Sequence, residues 1–133
     1  MATTQEYAKL SMEVYGNGVP EGWRDLGIPL PPTAAESGFY AAAYQNIATG
    51  EIVIAFRGTE VPADIWNDVL GADRAILLGS EHQQFVDALE FANLIDNTYG
   101  ENPDVTITVT GHSLGGGLAQ LAADVFGWGG ETF

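Results

Sequence analysis

Residues 105–126 read VTITVTGHSLGGGLAQLAADVF. Up to residue 110 apolar residues alternate with threonines, a period that predicts a β-strand. From residue 114 onward Leu, Ala, Val and Phe recur so densely that a helix buried on most of its faces is predicted. Between the two lies Gly111-His112-Ser113-Leu114-Gly115, a G-x-S-x-G pattern. In this setting the pattern is typical of a nucleophile elbow, a sharp turn that holds a serine hydroxyl clear of the sheet.

Each residue type in this turn has a physical role. Ser113 is expected in a sparsely populated backbone conformation that costs about 1–3 kcal/mol. Gly111 and Gly115 leave room for the bend, and Gly116 and Gly117 let the helix begin close to the strand. The N–H groups at the start of that helix point to where an anion would form. A glycine-rich turn without chemistry is the alternative, and it requires strand, pattern and helix to coincide by chance.

Composition limits the classes of fold and function. The 133 residues, of which 46% are hydrophobic, predict one globular domain, 1–133. No apolar run approaches the roughly 20 residues of a membrane span, and the start MATTQEY does not resemble a signal peptide. Four Lys+Arg against 18 Asp+Glu give a net charge of −14, which excludes nucleic acid as a partner. The lack of cysteine excludes disulfides, thiolate catalysis and cysteine-based zinc sites.

The first third of the chain predicts one helix and a loop. Thr3 and Glu6 fit a capping box, and Tyr7, Leu10 and Val14 fall on one face of the helix that follows. Residues 17–37 hold four of the six prolines and are predicted to form a loop. The apolar residues of this loop are Trp23, Leu26, Ile28 and Leu30. They are expected to pack the loop onto the core; the alternative is that they line an acyl pocket.

The middle of the chain predicts two strands, a flap and a long helix. Residues 39–45 and 52–56 read as strands joined by a turn at Thr49-Gly50, and the second strand is apolar enough to be central. Residues 60–70 read as a short helix or flap, where Asp64 and Asp68 favour a solvated acidic face over a cation site. A helix is predicted from a capping box at Ser80 and Gln83 to Tyr99. Its buried stripe is Phe85, Ala88, Leu89, Ala92, Ile95 and Tyr99, and residues 127–133 are predicted to be a loop that leads into another element.

Two motifs together resemble those of the class 3 lipases, the fungal-lipase-like α/β hydrolases. The first is Ala55-Phe56-Arg57-Gly58-Thr59 followed by Trp66 and Asp68, and the second is Gly111-His112-Ser113-Leu114-Gly115-Gly116. His82 and Phe85 resemble the H-x-G-F stretch of that family, although Gln84 replaces the glycine. The resemblance extends from the N-terminal helix to the helix after the elbow.

The resemblance implies an α/β fold, with an α/β-hydrolase-like central sheet and flanking helices that is truncated after the elbow helix. It implies a serine-dependent lipid ester hydrolase, of the triacylglycerol lipase or phospholipase kind, with Ser113 as nucleophile. The backbone N–H groups of Leu114 and Thr59 would form the oxyanion hole. Trp66, on a flap at a lipid interface, and His112 would contact substrate, while a core anchor is the alternative role of Trp66. The resemblance implies a secreted protein, and it implies neither a cofactor nor a metal.

The acid and the base of the reaction are missing from the sequence pattern. In this fold the carboxylate and then the histidine follow the serine along the chain. After Ser113 the sequence contains only Asp124 and Glu131 as acids and no histidine. His112 is expected to diverge from its neighbour Ser113, and His82 precedes the serine, so neither is favoured as the base. The catalytic Asp and His are therefore expected outside this chain, which would be inactive alone.

Two interpretations follow from the missing base. The favoured one is that residues 1–133 are the N-terminal portion of a lipase-like serine esterase. The alternative is a non-catalytic lipase-like domain for binding or assembly; an intact enzyme with an unorthodox base is a third, less favoured possibility. If the short chain is stable alone, its exposed sheet edge and apolar faces predict a homodimer.

Overall fold

The structure, a computed structural model, describes residues 2–14, 18–57 and 80–133, and side chains in the last range from residue 83 onward. These residues form a five-stranded mixed sheet flanked by helices. The strands are β1 (Trp23–Asp25), β2 (Tyr40–Asn46), β3 (Ile52–Arg57), β4 (Ile107–Gly111) and β5 (Gly129–Thr132). The helices are α1 (Thr4–Glu13), α2 (Ala34–Ser37), α3 (Ser80–Tyr99) and α4 (Leu114–Phe126). The predicted features at 58–79, including Thr59, Asp64, Trp66 and Asp68, lie outside the described residues, as does the side chain of His82.

The sheet follows the chain order β1-β2-β3-β4-β5 and changes character at β3. The first three strands pair antiparallel, and Gly50 at φ 78° closes the predicted turn between β2 and β3. The last three strands pair parallel, with Phe56 of β3 opposite Gly111 of β4. Because parallel strands end at the same edge, the C-terminal ends of β3, β4 and β5 lie side by side.

Helix α1 covers one face of the sheet. Its predicted capping box is confirmed: the Glu6 N–H donates to the Thr3 hydroxyl at 3.1 Å, and the Thr3 N–H donates to the Glu6 carboxylate at 3.2 Å. Tyr7 and Leu10 are buried on its inner face. They pack with Trp23 and with alternate residues of β2 and β3 in a first core cluster.

Helices α3 and α4 cover the opposite face. Phe39 lies between Phe56 of β3 and Phe91 of α3, with ring centroids 6.3 and 6.1 Å apart. Every residue of β3 except Arg57 is buried, which confirms the prediction of a central strand. In β4, Thr108 and Thr110 are as buried as their apolar neighbours Ile107 and Val109, because helices cover both sides of the strand.

Two predictions of local structure were wrong. Residues 17–37 are not all loop, because they contain the short strand β1 and the single helical turn α2. The apolar residues in that stretch do pack on the core, as favoured, with Trp23 buried and Leu26, Ile28 and Leu30 partly buried. Residues 127–133 contain strand β5, parallel to β4. Helix α4 agrees with its prediction, because it is exposed only at Gln120, Asp124 and Val125 and is buried or partly buried elsewhere.

None of the helices in the described ranges combines the length and the apolar character that crossing a membrane requires.

Candidate active site

Ser113 occupies the junction between β4 and α4 in a strained conformation. Its φ of 59° and ψ of −126° make it the one residue other than glycine with positive φ among the described residues. An L-residue avoids this region unless the surrounding structure enforces it, at a cost of about 1–3 kcal/mol. The side chain is exposed, and its hydroxyl makes no capping hydrogen bond to the helix that follows. The predicted elbow geometry at Ser113 is therefore present.

Two glycines allow the tight approach that forces this conformation. A Cβ on Gly111 would overlap the carbonyl oxygen of Gly115, so the bend can close only without one. A Cβ on Gly115 would overlap the carbonyl oxygen of Phe56 at the end of β3. The start of α4 is thus pressed against the C-terminal end of β3, where the sequence continues into Gly58 and Thr59.

Main-chain hydrogen bonds hold the turn on both sides of the serine. The Ser113 carbonyl accepts from the N–H groups of Gly116 at 2.9 Å and Gly117 at 3.3 Å. On the other side, the Ser113 N–H donates to the Phe133 carbonyl at 2.8 Å, and the Phe133 N–H donates to the Gly111 carbonyl at 2.9 Å. Leu114 is the first helical residue, a position whose N–H has no acceptor within the helix.

The structure places the other predicted site residues as follows. His112 is exposed beside Ser113, and Leu114 is buried at the start of α4. The register of β3 with β4 places Phe56 opposite Gly111, the residue two positions before Ser113. Thr59 lies two residues farther along, outside the described ranges, as does Trp66. The structure thus brings together the serine, its neighbours and the strand end that precedes Thr59.

Sequence reasoning missed two features at this edge of the sheet. The first is Phe133, whose main chain bonds to the elbow; residues 127–133 carried no strand signal because Gly129 and Gly130 have low strand propensity. The second is Tyr40, whose ring lies 6.0 Å from the guanidinium carbon of Arg57, a cation–π arrangement. Aromatic–arginine pairing between β2 and β3 becomes visible only once the strand register is known, since Tyr40 lies opposite Arg57.

A cavity of about 560 Å³ lies at the opposite edge of the sheet, so it is not the space in front of Ser113. Its walls include Glu51, Val105, Thr108 and Trp128 at the N-terminal ends of β3, β4 and β5. Within the described part of the chain, no three His, Asp or Glu side chains are grouped closely enough to hold a metal ion.

Comparisons with known proteins agree with this geometry. Residues 6–133 match the family model of the Tle-like phospholipase domain. The extracellular phospholipase A1 of Serratia liquefaciens is 34% identical over 111 residues, which span 81% of this chain and 31% of that protein.

Solved lipases share the fold at low sequence identity. The nonglycosylated Lip2 lipase of Yarrowia lipolytica superposes with a TM-score of 0.63 and 18% identity, covering 97% of this chain and 56% of that one. A triacylglycerol lipase whose catalytic centre is formed by a serine protease triad gives a TM-score of 0.62 and 22% identity, covering 94% and 56%. The chain therefore spans about half the length of these lipases and about a third of the Serratia phospholipase. The chain has the α/β-hydrolase fold of the lipases, as the resemblance implied, and it belongs to the family of Tle-like phospholipase domains.

Proposed function

We propose that this chain supplies the nucleophile of a lipid ester hydrolase and that Ser113 forms an acyl-enzyme. The observation that carries the proposal is the conformation of Ser113, a strained and exposed serine between a strand and a helix N-terminus. Strain of this kind persists where function requires it, because an unstrained residue would otherwise be more stable there. Membership of a phospholipase family supports the same reaction class.

The proposed reaction has two halves. A general base removes the Ser113 proton as the hydroxyl oxygen attacks the ester carbonyl carbon, and the C–O bond to the alcohol breaks as that alcohol takes the proton. Water then attacks the acyl-enzyme by the same route, releasing the fatty acid and restoring the serine. The negative charge on the carbonyl oxygen is stabilised by the N–H of Leu114 and by the N–H of Thr59. The packing of Gly115 on Phe56 supports this pairing, because it brings the strand that leads to Thr59 beside the elbow.

The base and its carboxylate are proposed to come from sequence outside residues 1–133. The support is the spacing of the chain: no histidine follows Ser113 here, and relatives of the fold are nearly twice as long. His112 and Trp66 are proposed as substrate contacts, with Trp66 meeting the lipid surface. Phospholipids are the favoured substrates, since both the family and the Serratia relative are described as phospholipases.

A fluorophosphonate probe tests the proposal by phosphonylating an activated serine. We expect the full open reading frame that contains this chain to be labelled at Ser113, as located by peptide mass spectrometry. Ser113→Ala should abolish labelling and lower phospholipid turnover by at least about 10⁴-fold, because the reaction loses its nucleophile.

The matched control is the same protein after heat denaturation, which keeps the serine but loses its activation. Residues 1–133 alone should remain unlabelled if the base lies outside them. Absence of label in both forms would reject the hydrolase and favour the non-catalytic binding domain; light scattering on the short form would then show whether it dimerises.

A further inference from the structure

The end of strand β5 meets the elbow through the main chain of Phe133. We propose that Phe133 is a positioning residue for the nucleophile, acting through its backbone carbonyl and N–H and not through its ring. This inference rests on the proposed role of Ser113. Its basis is a pair of hydrogen bonds, from the Ser113 N–H to the Phe133 carbonyl at 2.8 Å and from the Phe133 N–H to the Gly111 carbonyl at 2.9 Å.

These two bonds constrain the peptide unit before Ser113, whose N–H makes no bond within helix α4. The Ser113 carbonyl is already fixed, because two N–H groups of the first turn of α4 donate to it. The Ser113 N–H precedes the helix and has no acceptor inside it. The φ and ψ angles of Ser113 are fixed when the peptide units on both sides of it are held in place. If the unit before Ser113 were free, the φ of 59° would relax toward the allowed negative region. The bond to Phe133 supplies this second constraint.

Phe133 is itself held by rigid elements. Strand β5 runs in register with β4 from Thr108 opposite Gly129 to Gly111 opposite Thr132. A Cβ on Gly130 would overlap the carbonyl oxygen of Val109, so the two strands lie in close contact there. On the far side, the Thr4 hydroxyl at the start of α1 donates to the Glu131 carboxylate at 2.9 Å. The main chain of Phe133 therefore continues a strand that is paired with β4 and contacts α1 through Glu131.

The ring of Phe133 carries none of this constraint. It is 44% exposed, whereas both bonds to the elbow are made by main-chain atoms. Truncating the ring should therefore leave the elbow intact, and removing the N–H should not. This separation allows a test that distinguishes the backbone role from a general role in packing.

An amide-to-ester exchange removes one N–H without changing a side chain. We would incorporate phenyllactic acid at position 133 of the full-length protein by nonsense suppression, which deletes the donor to Gly111. Two controls match it. Phe133→Ala removes the ring and keeps the main chain, and indole lactic acid at position 128 deletes the Trp128 N–H, which donates to Ala123 at 3.1 Å at the other edge of the sheet.

The readouts are fluorophosphonate labelling, kcat and KM for a short-chain nitrophenyl ester, thermal midpoint, and exchange of the Ser113 amide proton. We expect the ester at 133 to lower labelling and kcat roughly tenfold with KM unchanged and with faster Ser113 amide exchange. The ester at 128 should lower the thermal midpoint similarly but leave kcat within about twofold, and Phe133→Ala should keep the Ser113 amide exchange rate of the wild type.

The outcomes separate the two proposals. If the ester at 133 were labelled as fully as the wild type and had the same kcat, the positioning role alone would be overturned. An equal loss of kcat in the ester at 128 would also overturn it, because the effect would then follow from lost stability. Absence of labelling in the wild-type protein would overturn the assignment of Ser113 as nucleophile, and the positioning role with it.

Discussion

Ser113 combines a strained backbone with an exposed side chain, a combination that selection for stability alone would not favour. It is an L-residue at φ 59°, and its side chain is exposed, so it gains little from packing in return for its strain. Glycine could adopt the same backbone angles without a Cβ conflict. The serine is therefore a position where the folded state should be more stable without the native residue.

We expect Ser113→Gly to be more stable than Ser113→Ala by about 1 kcal/mol. Both variants lose the hydroxyl, but only alanine keeps the strained Cβ, and the relief is partly offset by the larger entropy of glycine in the unfolded chain. Urea denaturation of both variants beside the wild type measures the difference. Equal midpoints for the two variants would contradict the prediction, because the strain at Ser113 would then be no larger than the entropy cost of glycine.

At the scale of elements, helix α3 is fastened to α2 by a buried carboxylate. Asp87 is fully buried, and its two oxygens accept hydrogen bonds from the hydroxyls of Thr33 and Ser37, the latter at 2.6 Å. The Gln83 amide also donates to it, at 2.9 Å. The neighbouring Gln84 amide donates to the Ser37 carbonyl at 2.8 Å. Since α2 has only one turn, these side chains and not its own helical bonds hold it in place.

Asp87→Ala should lower the free energy of unfolding by roughly 2 kcal/mol, because the buried Ser37 hydroxyl and the less buried Thr33 and Gln83 would lose their acceptor. The control is Glu90→Ala on the same helix, an exposed position where the change should stay within about 0.5 kcal/mol. Urea denaturation measures both. If Asp87→Ala lowered the free energy of unfolding no more than Glu90→Ala does, the role of this cluster would be contradicted.

The same elements show what the sequence could and could not predict. The capping box at Thr3 and the apolar run of β3 are strong local signals, and both predictions were confirmed. Strand β1 and helix α2 have three and four residues, too few for a periodic pattern to appear. The Asp87 cluster joins residues about 50 positions apart, so no local pattern could indicate it.

The candidate site was partly predictable for the same reason. The G-x-S-x-G pattern is local, and it placed Ser113 at a strained turn between strand and helix, as the structure has it. The bond from Phe133 depends on the parallel pairing of β4 and β5, which the two glycines at the start of β5 concealed. The oxyanion role of Thr59 and the substrate contact at Trp66 stay predictions, because those residues lie outside the described ranges.

For the molecule as a whole, two buried tyrosines on the α1 face of the sheet couple stability to alkaline pH. Burial raises the pKa of the Tyr44 phenol from 10.0 to about 12, and the negative charge of Asp25 adds to the effect. Burial also raises the pKa of Tyr7, with a smaller opposing effect from Thr108 and support from Glu51. Both phenols are thus favoured in the neutral form by the folded state.

The stabilising effect of Tyr44 is complete below about pH 10 and is lost as the pH rises toward about 12. In that window the unfolded chain releases the phenol proton while the folded chain keeps it, so stability should fall by about 1.4 kcal/mol per pH unit. In Tyr44→Phe the free energy of unfolding should fall less steeply with pH, by about 1.4 kcal/mol per pH unit. Urea denaturation between pH 8 and about 11.5 measures it, and parallel curves for the two proteins would contradict the assignment.

The change from antiparallel to parallel pairing at β3 also sets an order of assembly. Strands β1 to β3 are joined by contacts close in sequence, whereas β4 reaches β3 only after a connection that includes the whole of α3. Short loops close faster than long ones, so the meander should form early and the parallel half late. The turn at Ser113, which needs β3, β4 and β5 together, would then be among the last parts of the chain to become native, and the hydroxyl would gain its reactivity only when folding is complete.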